Sequence, residues 1–226
     1  MSIRKAPLIS GEYYHIYNRG NSKQKIFHDI HDYNHFLSLL FLLNRKENFK
    51  IEFLRKSNPY NFLKTSSLVS IGAYCLMPNH FHILLTETED GSISKFMQKL
   101  TTAYSVFYNK KYKRTGALFE GKFKSKHANN DIYLKYLFSY IHLNPIKIIS
   151  PTWREKGIEN SKKVIKFLEG YKYSSYLDYI GKTRPENVIL NRSAFPRYFL
   201  EKEDMKTEIF TWLSYGSQVL PVRQDL

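Results

Sequence analysis

Two apolar runs separated by a tight turn constrain this chain more than any other feature. Ser67 to Leu76 and Phe81 to Thr86 read as β-strands joined across Met77-Pro78-Asn79. Once that hairpin is fixed, the flanking segments fall into order around it. Tyr13 to Arg19 is rich in aromatic residues and is ended by the Gly20-Asn21 turn signal, so it is a third strand. Asp29 can cap a helix running to about Arg45, with Ile30, Tyr33, Leu37, Leu40 and Phe41 at helical spacing. A second helix, from about Ser92 to Tyr112, gathers Ile93, Phe96, Met97, Leu100, Tyr104 and Phe107 on one face. Thr115-Gly116 turns into a strand at Ala117 to Lys124, and a further helix runs from Asp131 to about Asn144, before Pro145.

The resulting order, strand–helix–strand–strand–helix–strand–helix, is an α+β, ferredoxin-like split βαβ arrangement. It predicts an antiparallel sheet with two helices on one face, an added helix, and a C-terminal helical extension. Residues 1–150 form the expected main domain, with a polar, loop-rich insert at 46–66. Residues 151–226 form an extension packed on the same domain, with helical segments around Arg192 to Phe199 and Glu203 to Tyr215. At 42% hydrophobic and 16% aromatic, the chain can bury such a core.

Thirty-five Lys and Arg against 20 Asp and Glu give a net charge of +15, which favours polyanionic partners through counterion release and steering. The single cysteine, Cys75, excludes a disulfide framework and thiolate-rich zinc sites, and its apolar strand makes it an inert core thiol. The N-terminal segment lacks an apolar signal core, and the longest apolar run, Phe36 to Leu43, is too short to span a bilayer. The expectation is a soluble cytoplasmic protein. The cations cluster between positions 110 and 126: Lys110, Lys111, Lys113, Arg114, Lys122, Lys124 and Lys126, interleaved with Tyr112, Phe119 and Phe123. That pattern suits unpaired nucleotides, which are held by charge and stacking. A strand that buries its aromatics and exposes its lysines reads the same way.

His80-Phe81-His82 opens the third strand in chain order. Alternation puts both imidazoles on one side, able to face one cation, with Phe81 and Ile83 on the other. Two half-exposed histidines at a strand end give the same spacing. Tyr140 and Asn144 share a helix face one turn apart, where an amide oxygen suits Mg²⁺ or Mn²⁺ and a phenol could reach a phosphate. In a chain with 18 tyrosines, packing accounts for most of them. His28, His31 and His35 have zinc-like spacing, but lie opposite the apolar face and read as solvated. His127 and His142 read as surface residues. A Gly-rich phosphate loop is absent, so no nucleotide cofactor is expected.

Five motifs in order carry a family resemblance. Tyr74-Cys-Leu-Met-Pro-Asn-His-Phe-His-Ile-Leu-Leu85 resembles the metal-binding strand of the HUH-type single-tyrosine transposases. Tyr140-Ile-His-Leu-Asn-Pro145 resembles the nucleophile helix of their REP-associated tyrosine transposase branch. Tyr14-His-Ile-Tyr-Asn-Arg-Gly20, Gly116-Ala-Leu-Phe-Glu-Gly-Lys-Phe-Lys-Ser125 and Tyr173-Ser-Ser-Tyr176 agree with it. The resemblance implies His80, His82 and Asn144 as ligands of Mg²⁺ or Mn²⁺, and Tyr140 as the nucleophile. Relatives among the insertion-sequence enzymes carry Gln near the Asn144 position. The implied activity is cleavage and strand transfer of single-stranded DNA beside imperfect hairpins, through a 5′-phosphotyrosine, by a monomer or homodimer. Arg19 joins the 110–126 cations as the candidate DNA-binding set. The rival expectation is a non-catalytic binder of structured single-stranded DNA or RNA, which has no need to keep both histidines, Tyr140 and Asn144 together.

Overall fold

The structure is a computed structural model that describes residues 8–47, 58–62 and 66–215. Most of the expected 46–66 insert therefore lies outside the described residues. Four antiparallel strands form one sheet in the order β2-β3-β1-β4: β1 is Tyr13–Arg19, β2 Val69–Met77, β3 His80–Glu87 and β4 Lys124–His127. Met77 pairs with His80, so Pro78 and Asn79 alone make the hairpin turn. With α1 (Ile30–Leu42) and α2 (Ser92–Lys111) as the two crossovers, this is the split βαβ fold expected of an α+β, ferredoxin-like chain.

The two sheet faces carry different cargo. Phe81 faces α1 and α2, where the Phe36 ring lies 5.1 Å from it and meets Tyr104 edge-on at 4.9 Å. Asp29 caps α1 by accepting from the His31 and Asp32 amides. The opposite face of β3 receives α3 (Asp131–Leu143), whose N-terminus Asn130 caps through the Tyr133 amide. Pro145 does not stop the chain. It keeps helical dihedrals and leads through a turn into the short helix α4 (Ile146–Ile149), followed by α5 (Trp153–Lys156).

β4 begins at Lys124, not at Ala117. Gly116 and Gly121 both have positive φ, which breaks the extended path, and the intervening residues are used as a plug. Leu118 and Phe119 are buried, the Asn21 amide donates to Leu118, and the Phe119 ring packs on Phe81.

The C-terminal stretch covers the free edge of β2. The Leu76 amide donates to the Tyr173 carbonyl and the Ser175 amide to Tyr74, so residues around Ser174 act as a short added strand. Arg184 locks this cover, bonding Tyr74 Oη at 2.8 Å, the Ser174 carbonyl at 2.8 Å and the buried Asp178. Two short helices, α6 (Ser161–Leu168) and α7 (Tyr176–Tyr179), lie in this region, and α8 (Lys202–Tyr215) packs on α3. The expected helix near Arg192 to Phe199 is a single 3₁₀ turn, Arg192–Ala194. Phe195 instead presses on Gly72 at a β-bulge in β2, where its ring occupies the space a Cβ would need.

Candidate active site

The β1–β3 register sets the histidines into their surroundings. Arg19 stands opposite His80, and Tyr17 opposite His82. Because directly paired residues project to one face, Tyr17 and His15 share the histidine side of the sheet. β4 adds Lys124 opposite Tyr17 and Lys126 opposite His15. From above, α3 brings Tyr140, whose ring centroid lies 5.7 Å from that of His82 and 5.5 Å from that of His15. Asn144 follows as the C-cap, its Nδ2 donating to the Tyr140 carbonyl at 2.8 Å. The helix thus brings Tyr140 against His82, whose ring centroid lies 4.9 Å from that of His80.

Among the atoms of this cluster buried without a hydrogen-bond partner are His15 Nδ1, His82 Nε2 and Asn144 Oδ1. Leaving such atoms unpaired is costly; Asn144 Oδ1 offers a lone pair, as does His82 Nε2 when its proton is on Nδ1. His80 bonds Asn79 Oδ1 through Nδ1 at 2.6 Å, which assigns its proton to Nδ1 and leaves Nε2 bare. Two nitrogens and an amide oxygen fit a divalent cation of borderline-hard character such as Mn²⁺ or Mg²⁺. Among the described residues no group of three or more His, Cys, Asp or Glu could hold a metal.

Burial keeps the imidazoles neutral. It lowers His80 to about 4, helped by Lys147 and Arg19, and lowers His15 to about 3, helped by Lys126 and His80. His82 is pushed well below its usual range by burial and then by His80 and His15. Burial raises the Tyr140 phenol, while Arg154 and a hydrogen bond with Asn144 act against that rise.

Arg154 belongs to no motif in the sequence. Its guanidinium sits 4.8 Å from the Tyr140 ring centroid, brought there by α5. Its Nε is buried without a partner, and among the described residues no carboxylate pairs with it. A half-buried cation held against a phenol and lacking an acid is suited to an incoming anion.

A cleft opens beside His80, lined in part by Tyr17, Arg19, Lys23, Lys124 and Lys147. The candidate DNA-binding cations thus divide by position. Lys124 lines the cleft, and Lys126 lies over the Tyr133 ring at 5.4 Å on the same sheet face. Arg19 reaches the cleft while ion-paired with Glu120. Lys122 is exposed just before β4. Lys110, Lys111, Lys113 and Arg114 lie at the end of α2, in the helix layer across the sheet. Lys111 there binds Asp29 at 2.7 Å and the buried Asp32 at 2.6 Å, a structural assignment for that cation. Arg114 lies over the Tyr108 ring at 5.5 Å.

Two other histidines, His35 and His142, differ from expectation. His35 is stacked on Phe107 at 3.8 Å and lowered to about 4 by burial, so it is not solvated. His28 is exposed, as expected, although it precedes α1 and bonds Tyr108 Oη at 2.8 Å. His142 is fully buried, its Nε2 2.8 Å from Ser175 Oγ, because the cover strand closes over that face of α3. His127 is exposed, as expected, and pairs with Glu12. Cys75 is a core thiol pushed up by burial.

These buried rings predict acid sensitivity. The native protein refuses protons at His142, His15, His35 and His80 until pH about 3 to 4, whereas the unfolded chain accepts them near 6.5. The unfolded state thus binds more protons across that window, and stability falls as pH drops through it. The urea midpoint is expected to be lower at pH 5 than at pH 7.5; equal midpoints would contradict the burial of these rings.

No helix among the described residues is long and apolar enough to cross a membrane. No curated protein matches the sequence. Among solved structures, the chain is similar to a REP-associated tyrosine transposase bound to a REP hairpin, at 14% identity and a TM-score of 0.48, over 87% of this chain and 98% of that one. The family described as IS200-like transposases matches residues 9–144, from before β1 through the Asn144 cap and over more than half of the chain. The chain belongs to the IS200-like transposase family.

Proposed function

We propose that this protein cuts and rejoins single-stranded DNA through a covalent link at Tyr140, and that it is of the REP-associated kind, acting beside imperfect hairpins. The observation that carries this reading is the meeting of Tyr140 with two unpartnered buried ligand atoms, His82 Nε2 and Asn144 Oδ1. A protein that only binds nucleic acid gains nothing from leaving them unpaired. Asn144, where insertion-sequence relatives carry Gln, favours the REP-associated branch.

His80 Nε2, His82 Nε2 and Asn144 Oδ1 would hold Mg²⁺ or Mn²⁺, which when bound polarises the scissile phosphate and offsets charge in the transition state. The chain's own work is nucleophilic. Tyr140 Oη attacks phosphorus and loses its phenolic proton to solvent, the P–O3′ bond breaks, and the 3′-oxygen leaves to become a hydroxyl. The downstream fragment stays on the enzyme as a 5′-phosphotyrosine, and an incoming 3′-hydroxyl reverses the step without ATP. Arg154 stabilises the phenolate or the phosphate oxygens as charge develops. Since Arg154 belongs to the stretch after residue 150, the working catalytic unit includes the start of the C-terminal extension.

Incubation of the protein with a hairpin-flanked oligonucleotide and Mn²⁺ tests the reading. A 3′-end label is expected to become protein-bound and a 5′-end label to be released with a free 3′-hydroxyl. Attachment of the 5′ label instead would reverse the assigned polarity.

Two variants probe the supporting cations. Arg154→Ala is expected to lower the cleavage rate on the order of 10²-fold, the usual loss of one oriented donor at a developing anion. Oligonucleotide affinity should change far less, and a rate equal to wild type would remove Arg154 from the chemistry. Lys124→Glu combined with Lys126→Glu is expected to weaken DNA binding and flatten its salt slope by roughly 1 to 2 units, since phosphate contacts set that slope. Lys111→Gln should leave the slope alone and lower stability, because it strips a counter-ion from buried Asp32. Salt titrations of oligonucleotide affinity separate the two.

A further inference from the structure

His15 is a buried histidine that the chemistry above does not use. Its Nε2 lies 2.8 Å from His82 Nδ1, with the two rings stacked at a centroid separation of 5.0 Å. The register places Tyr17, not His15, opposite His82, so the contact runs diagonally across the β1–β3 pair. Two ring nitrogens at this distance require one donor and one acceptor, and each neutral ring carries a single proton.

Only two arrangements satisfy that contact. In one, His82 carries its proton on Nδ1 and donates to His15 Nε2, leaving His82 Nε2 bare. His15 then bears its own proton on Nδ1, which is buried with no partner. In the other, His15 donates, the proton of His82 moves to Nε2, and that buried N–H blocks any ligand role while finding no acceptor. Each arrangement leaves one N–H unsatisfied. They differ in whether His82 can hold a cation.

We propose that His15 is a positioning residue that accepts from His82 Nδ1–H and so keeps His82 Nε2 bare for a divalent cation. The proposal rests on His80, His82 and Asn144 being a metal site. Metal-bound histidines are commonly fixed in tautomer and orientation by the hydrogen bond from their other nitrogen. The acceptor is usually a carboxylate, a carbonyl or water; an imidazole does the same without adding negative charge. The full charge of the cation is then left for a phosphodiester. This explains why a histidine, and not an acid, fills the buried position at the centre of β1.

Long-range ¹H–¹⁵N correlation spectra of the metal-free protein report which nitrogen of His82 bears the proton, and Nδ1–H is expected. Mn²⁺ affinity measured by EPR is expected to fall about 10- to 100-fold in His15→Leu, which keeps bulk but cannot accept. His15→Gln offers an amide oxygen to His82 Nδ1–H and should bind Mn²⁺ close to wild type. An Nε2–H tautomer in the wild-type spectra overturns the proposal, as does a folded His15→Leu with undiminished affinity or a His15→Gln as weak as His15→Leu. If His15→Leu does not fold, the wild-type spectra and the Gln variant decide. Wild-type protein that binds no Mn²⁺ overturns the metal reading itself, while the spectra still settle the role of His15.

Discussion

Tyr140→Phe is expected to remove strand cleavage and the covalent adduct altogether, a drop on the order of 10⁴-fold or more, as for other deleted nucleophiles. The ring is 4% exposed and sits edge-on to His82 and His15, so phenylalanine keeps the packing that holds α3 on the sheet. What disappears is one phenolic oxygen, at a cost of about 1 kcal/mol in stability. Oligonucleotide affinity should stay near wild type. Tyr136 is the control. It lies one turn earlier, 5.8 Å from Tyr140 and 5.2 Å from Trp212, and packing under α8 accounts for it. Tyr136→Phe should therefore retain measurable cleavage. Activity in Tyr140→Phe, read by oligonucleotide cleavage on a denaturing gel, would mean that another residue attacks.

Asn144→Ala carries the second large effect. The amide does two things at once: Nδ2 ties the helix end to the Tyr140 carbonyl, and Oδ1 stays unpartnered. Alanine loses the first at about 1 kcal/mol, a modest change in a folded domain. Losing the second removes the proposed ligand, so Mn²⁺ affinity should fall by about 100-fold or more and cleavage with it at limiting metal. Raising Mn²⁺ should restore part of the rate. If Asn144 serves only as a cap, stability falls while the metal dependence of cleavage stays that of the wild type. Titrating Mn²⁺ against cleavage rate in both proteins separates these outcomes.

The legible parts of the fold were those written in local sequence. The β2–β3 hairpin follows from two apolar runs around Pro78-Asn79, and strand alternation alone places His80 and His82 on one side. Helical spacing likewise joins Tyr140 to Asn144. What stayed hidden depends on partners distant in sequence. His15 looks like one more polar residue in a strand until the β1–β3 register brings it to His82, 67 positions away. Arg154 lies in an irregular stretch, and only the path through α4 and α5 turns it back onto Tyr140. The basic run at 110–126 seemed continuous, yet positive φ at Gly116 and Gly121 splits it between two sides of the sheet. His142 looked like a surface residue because nothing local announces the cover strand at Tyr173 to Ser175.

Mass spectrometry of the trapped protein–DNA adduct tests the central claim most directly. After incubation with a hairpin-flanked single strand and Mn²⁺, proteolysis should yield one modified peptide, carrying a 5′-linked nucleotide on Tyr140, and chelating the metal should abolish it. A nucleotide found on any other residue, a 3′-linked adduct, or no adduct in the presence of metal would contradict the account.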